Sequence, residues 1–290
     1  MFRIGIIGSD NSHALAFAKL VNFPDGRTGN YPFPDCRVTG IFGLDRARTE
    51  EVASKGGIDF IADEPEGLNG KIDAAMVVFR HGGLHLKYAL PFIEKGMPVW
   101  IDKPFTIKND DARTLIEAAK KHRAPITGGS ATKYTLDIAM VKTAVINFPA
   151  ELTNEYGGIY FYGHHLIEMT LQSFGYHPAS VLASENSGCV AAILRYDNYQ
   201  VTMNFIPGNH EYYAVLFGEN GTFIREIDIT GSYQNTFEKF AEMLRTDEMP
   251  EPFERLYAPV ELMNAIVESY TKGVPVKLAG LQQPGFISHA

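Results

Sequence analysis

Over residues 1–130 the chain alternates short apolar runs with longer segments whose apolar residues recur every three or four positions. The runs are Phe2 to Gly8, Arg37 to Gly43, Ile58 to Ala62, Ile72 to Phe79, Val99 to Ile101 and Ala124 to Gly128. Nearly continuous apolarity, rather than alternation, is what strands buried on both faces show. His13 to Asn22, the segment opened by Asp45, the one ending at Gly96 and Thr106 to His122 read as helices, with Ser12 and Asp45 available as caps. Strand and helix in turn predict a doubly wound parallel α/β sheet. The stretch from Phe23 to Cys36, thick in Pro, Gly and Asp, is a loop.

Beyond Gly128-Gly129-Ser130 the pattern changes. Ala131 to Phe148 has helical spacing, and Gly157 to Met169 opens a second unit. Period two then takes over in Val190 to Tyr196, Gln200 to Ile206, Tyr212 to Gly218 and Thr222 to Ile229, with a turn at Asp197-Asn198, as in hairpin-linked antiparallel strands. Thr236 to Leu244 and Pro259 to Lys272 are helical, and Val274 to Leu278 precedes a polar tail. At 290 residues the chain exceeds the usual single-domain size. We expect a parallel doubly wound domain over 1–128 and an α+β domain with a mostly antiparallel sheet over 129–290.

Composition narrows the partners. With 45% hydrophobic residues the chain can build a core, and a net charge of −8 opposes binding to nucleic acid or an anionic membrane. Two cysteines, Cys36 and Cys189, fit a reducing compartment rather than a disulfide scaffold. No charged, apolar and small-residue leader and no long apolar run is seen, so a cytoplasmic protein acting on a small molecule is expected.

Candidate chemistry concentrates at strand ends. In Met97 to Thr106 an apolar run stops at Asp102-Lys103-Pro104, which sets Lys103 at the ligand-bearing edge of a parallel sheet. Arg80 to Gly83 follows the preceding strand at the same edge, with His85 near the start of the next helix. The first strand ends in Gly8-Ser9-Asp10-Asn11-Ser12-His13. A dinucleotide fingerprint has three glycines there, for the turn, the diphosphate approach and helix packing. Here Asp10 stands at the second glycine position and His13 at the third. Asp10 brings a side chain where phosphate ordinarily meets bare backbone at a helix amino terminus. The same residues form a dense polar cluster in which His13 either reaches a ligand or serves the helix.

This order of strand, His-bearing helix start, strand and acid-Lys-Pro resembles the glucose-fructose oxidoreductase / inositol dehydrogenase (Gfo/Idh/MocA) family, in which the acid is usually Glu. The resemblance implies NAD or NADP as cofactor, held by Gly8, Ser9, Asp10, Asn11, Ser12, His13, Asp45, Arg46, Arg80, His85 and Asp102. The position matching the family's ribose-binding acid is Gly43, with Asp45 two residues later as a ligand or a helix cap, and Arg46 and Arg48 near enough for a 2′-phosphate. His165 matches the family's catalytic His, while the family's Asp four residues earlier is Phe161. Lys133, His164 and Glu168 are expected to meet the substrate. His164, His165 and Glu168 lack a further sequence-local ligand, and no metal is expected. The resemblance further implies a homodimer or homotetramer through the carboxyl-terminal sheet.

The implied reaction is hydride transfer between a nicotinamide and a hydroxyl-bearing carbon of a sugar, polyol or related compound. His165 is the expected base and Lys103 the hydrogen-bond donor to the developing oxyanion. The alternative is a noncatalytic ligand-binding or regulatory relative, favoured by Asp10 and Phe161. Elimination or hydrolysis on the same fold is a third reading.

Overall fold

The computed structural model describes residues 1–136, 142–219 and 221–281. Strands β1 (Phe2–Ile7), β2 (Cys36–Phe42), β3 (Phe60–Ile61), β4 (Ala74–Val77), β5 (Val99–Asp102) and β6 (Ile126–Gly129) form one sheet in the order β3-β2-β1-β4-β5-β6. Every pairing in it is parallel. Helices α1 (Ser12–Asn22), α2 (Arg46–Gly56), α3 (His85–Ile93) and α4 (Asn109–His122) connect the strands. All residues of β4, β5 and β6 are buried, which is why these runs read as continuously apolar. The strand order reverses between β1 and β4, and such a switch point opens a crevice at the carboxyl ends of the strands.

Two glycines permit close approach at that edge. Gly8 has φ of +109°, and a Cβ there would lie 2.8 Å from the Phe79 backbone nitrogen. A Cβ on Gly128 would lie 1.8 Å from the Ile101 carbonyl oxygen, so β5 and β6 can pair here only without a side chain. The cap of α1 is Asn11, whose side chain accepts from the His13 N–H, one residue before the expected Ser12.

The second sheet contains β7 (Thr143–Phe148), β8 (Ser180–Asn186), β9 (Cys189–Arg195), β10 (Gln200–Phe205), β11 (Tyr213–Gly218), β12 (Gly221–Glu226) and β13 (Val276–Lys277), in the order β12-β11-β7-β10-β9-β8-β13. All neighbours are antiparallel except β7 and β10. The expected helix over 131–148 is replaced by turns over 131–135 and by β7; its part at 137–141 lies outside the described residues. Ala144, Ile146 and Phe148 are the buried positions of β7, and this period of two outweighs the helical spacing. Strand β8 was not anticipated, because only Val181 and Ala183 of its seven residues are buried.

Helix α5 (Ile159–Phe174) covers this sheet, whereas α6 (Ser232–Thr246) returns to the first one. Phe237, Phe240 and Ala241 pack in one core with Phe17 of α1 and Trp100 of β5. Helix α7 (Phe253–Lys272) serves both layers: Leu256, Tyr257 and Val260 join the core under β5, and Leu262, Met263 and Ile266 join that of the second sheet. It starts six residues before Pro259, the expected first residue, and carries that proline inside. Packing therefore crosses the sequence position at which the two units were expected to divide.

A buried ion pair reinforces this junction. The Lys133 ammonium donates to the Gly128 carbonyl oxygen at 3.1 Å and pairs with the carboxylate of Glu251, just ahead of α7. Burial alone would lower the Lys133 pKa, but Glu251 outweighs it and raises it. Lys133, expected at the substrate, is thus committed to holding β6 against α7.

Two outcomes follow. Gly128→Ala should cost at least about 1–3 kcal/mol through backbone strain, read from the midpoint of urea unfolding. Glu251→Gln leaves a buried ammonium without its counter-charge and should cost about 3–5 kcal/mol, seen as a lower Tm. An unchanged Tm would contradict this account of the junction.

Candidate active site at the carboxyl edge of the parallel sheet

Asp102, the last residue of β5, is 1% exposed, and its Oδ2 accepts from Asn11 Nδ2 at 3.0 Å and lies 2.7 Å from His13 Nδ1. Burial would raise the Asp102 pKa, but His13, followed by Lys103, holds it below the ordinary carboxylate range. His13 is wedged edge-on against Phe17 and Tyr233. The residue at the third glycine position of the fingerprint is therefore bonded to the acid of the Asp-Lys-Pro motif. Two departures from the family pattern meet in one buried contact.

Lys103 is 1% exposed. Its Nζ donates to the Phe161 carbonyl oxygen at 3.0 Å and sits 3.8 Å from the Phe161 ring centroid and 5.4 Å from that of Tyr162. Burial pulls its pKa down to about 8, with Asp102 opposing and Arg80 adding to the fall. At the place of the family Asp, α5 thus offers Lys103 a backbone carbonyl and an aromatic face.

The next turn of α5 brings His164, His165 and Glu168 inward. His165 Nδ1 lies 2.6 Å from Ser130 Oγ, and burial followed by the nearby Lys103 charge pushes its pKa well below the imidazole range. Glu168 Oε2 accepts from the Ser130 backbone N–H at 2.8 Å, and burial raises its pKa to about 7. A Cβ on Gly129 would meet that oxygen at 2.1 Å, so the glycine leaves room for the carboxylate. His164 is fully buried, with no hydrogen-bond partner at either ring nitrogen among the described residues, and burial takes its pKa down to about 3. Among the described residues no group of three His, Cys, Asp or Glu is arranged to hold a metal ion.

At the glycine turn, Asp10 Oδ2 accepts from the Arg80 backbone N–H at 3.2 Å. The Arg80 guanidinium donates to the Tyr156 hydroxyl at 2.8 Å and stacks 4.8 Å from its ring centroid. Asp10 Oδ1 and Arg80 Nε are buried without hydrogen-bond partners among the described residues. Ser9 Oγ lies 2.9 Å from Thr49 Oγ1, and this pair fills the space a side chain on Gly43 would need, the Ser9 oxygen being 2.1 Å from such a Cβ. Asp45 caps α2, accepting from the Arg48 N–H at 3.0 Å. Ser12 is exposed and donates only weakly to Asn11, at 3.5 Å.

Several expected site residues are engaged elsewhere. Arg46 pairs with Glu50 and Asp63 on the surface, and it is Arg48 whose Nε reaches the Ser9 carbonyl oxygen, at 3.1 Å. His85 is fully buried between two carbonyls, Phe79 O at 2.9 Å and Phe105 O at 3.3 Å, so it ties the end of β4 to the Lys103 loop rather than facing the crevice. Sequence reasoning passed over Ser130 and Tyr156. Ser130 was detectable as the polar residue directly after β6, whereas nothing around Tyr156 distinguishes it.

The comparisons agree with this architecture. Residues 2–129 match the model of the Gfo/Idh/MocA oxidoreductase family, NAD-binding Rossmann fold. Among solved structures, the chain is similar to a myo-inositol dehydrogenase from Corynebacterium glutamicum, with TM-score 0.79 and 18% identity over 96% of this chain and 99% of that one. A scyllo-inositol dehydrogenase from Lactobacillus casei, solved with NAD(H) and scyllo-inositol, gives TM-score 0.77 and 13% identity over 96% and 99%. A UDP-N-acetylglucosamine 3-dehydrogenase from Acidithiobacillus ferrooxidans gives 0.72 and 15% over 93% and 97%. At these identities the likeness speaks for the fold. Among curated proteins no sequence matches. Through residues 2–129, with their parallel sheet, glycine turn and Asp-Lys-Pro edge, the chain matches the Gfo/Idh/MocA family of oxidoreductases with an NAD-binding Rossmann fold.

Proposed function

We propose that the protein is an NAD(P)-dependent dehydrogenase that moves a hydride between a nicotinamide and a hydroxyl-bearing carbon of a sugar, polyol or related hydroxy compound. The observation that carries this reading is Lys103, a buried ammonium at the carboxyl edge of a parallel sheet whose pKa is brought down to about 8. A proton-transfer group is most effective when its pKa lies near the working pH.

The residues at the switch point fit a dinucleotide. Gly8 supplies the turn, Asn11 leads into the amino terminus of α1, and the buried Arg80 Nε and Asp10 Oδ1, without partners among the described residues, offer a donor and an acceptor. Gly8, Ser9, Asn11 and Ser12 would hold the diphosphate, with Asp10 tied to the Arg80 backbone N–H and Arg48 flanking the turn. When bound, the nicotinamide supplies the redox chemistry.

The chain's own residues handle the proton. In the oxidation direction the substrate hydroxyl passes its proton to the neutral Lys103 amine as the neighbouring C–H bond breaks; in the reduction direction the ammonium returns it. His165 was the expected base, but its depressed pKa keeps it neutral and makes it a weak one. Its part is to orient the hydroxyl, with Ser130 fixing the ring through Nδ1. For Lys103 to reach a substrate, its bond to the Phe161 carbonyl must give way. That bond also favours a second reading, a ligand-binding relative in which Phe161 keeps the ammonium occupied. Assembly through the second sheet is part of the proposal, since Phe223 and Ile224 of β12 are exposed.

Steady-state assays with NAD and NADP against a panel of inositols, hexoses and amino sugars test the reading. The kcat/KM for oxidation should rise as the pH passes about 8, where Lys103 loses its proton, and that for reduction should fall over the same interval. Lys103→Met should lower kcat by roughly 10²–10⁴-fold. Absence of turnover with every pair would move the second reading to the front.

A further inference from the structure

The parallel pair β7 and β10 ends beside the first turn of α5, and a cavity of about 210 Å³ opens there. Glu151, which follows β7, and His210, which follows β10, line it together with the rings of Tyr156, Phe161 and Tyr162. The rings are set at angles to one another, Tyr156 to Phe161 at 5.0 Å and 48° and Phe161 to Tyr162 at 5.2 Å and 76°. Asn154 fixes this wall by accepting from the Tyr156 and Gly158 N–H groups at 2.8 and 2.9 Å. Phe161 and Tyr162 also flank Lys103, so cavity and ammonium share one aromatic partition. At this volume the cavity is smaller than the ~300–1,000 Å³ usual for a whole ligand and suits one end of a molecule.

Among the side chains that line it, full charge is of one sign, the Lys103 and Arg80 cations lying behind the aromatic wall. Glu151 is the one acid in the lining and has no ion-pair partner among the described residues. A second cavity, of about 730 Å³, shares His210 and adds Glu211, Glu226 and Asp228. Neither cavity is lined by a lysine or arginine. An anionic group would meet carboxylates and ring faces, both repulsive to it. An uncharged hydroxyl would gain nothing from the Glu151 charge beyond an ordinary hydrogen bond. The lining rings already accept cations from outside the cavity: Phe161 the Lys103 ammonium at 3.8 Å, and Tyr156 the Arg80 guanidinium at 4.8 Å. A carboxylate beside angled aromatic faces is the environment in which an ammonium group is bound.

We propose that the cavity bounded by Glu151, Tyr156, Phe161, Tyr162 and His210 is a subsite for a protonated amine, so that the substrate is a polyhydroxy compound bearing an amino group. The step from subsite to substrate rests on the dehydrogenase reading; the subsite itself does not.

Binding of glucosamine, N-acetylglucosamine and glucose is measured by calorimetry at pH 7 on the full chain and on Glu151→Gln and Tyr162→Leu, with NADH titrated into separate portions of each sample. Glucosamine should bind about tenfold more tightly than either neutral sugar, a preference of the size one paired, partly desolvated cation–π contact confers. Glu151→Gln, a change at an exposed side chain, should abolish most of that preference, and Tyr162→Leu should weaken glucosamine more than glucose. Equal affinities, a preference for a neutral sugar, a preference that survives both substitutions, or no binding of glucosamine would each overturn the subsite. Loss of NADH binding with the amine preference intact would instead overturn the dehydrogenase reading and leave the subsite standing.

Discussion

An ammonium group withdrawn from water at the end of a strand has to be answered on every side, and much of this structure is the answer to Lys103. Desolvation of an ion costs several kcal/mol unless hydrogen bonds and opposite charge return it. Asp102 lies next to it in sequence, the Phe161 carbonyl oxygen accepts a hydrogen bond from it, and the Phe161 ring covers it. The compensation is incomplete, which is why its pKa settles at about 8 instead of the ordinary lysine value. The same shortfall places the group where protons move near neutral pH.

The neighbouring departures from the family pattern form a connected set. Asp102 needs partners of its own once buried, and it finds them in Asn11 and in His13, the residue standing at the third glycine position of the fingerprint. Asp10, at the second, holds the Arg80 N–H, while the Arg80 guanidinium reaches across to Tyr156 in the second unit. The turn after β1, the edge after β5 and the approach to α5 are thereby linked through buried and half-buried polar contacts. A change at one of them leaves an unpaired group at another, which is costly in a low-dielectric interior. Such coupling gives a physical reason for these positions to have departed together.

Behind this layer lies a second set of buried charges whose work is structural. Lys133 and Glu251 join β6 to α7, and Glu168 uses the space left by Gly129 to accept from Ser130, whose hydroxyl in turn meets His165. The orientation of His165 thus depends on residues at the end of the parallel sheet, although its own helix belongs to the other layer. Helices α6 and α7 extend the same dependence by filling cores on both sides.

The first sheet was legible in the sequence because its strands are buried on both faces and its helices on one, so that periodicity alone separates them. Lys103 was legible for the same reason, as a charge directly after a buried run. The second sheet was less so: β7 carries apolar residues at spacings compatible with either element, and β8 buries too few to be seen. Nor could sequence distinguish a lysine aimed at a ligand from one paired with Glu251, which lies more than a hundred residues away. Local pattern reports which side chains leave water. What each buried polar group meets there depends on chain segments far apart in sequence, and tertiary packing alone decided that His13 answers Asp102, that Phe161 covers Lys103 and that Lys133 is a strut.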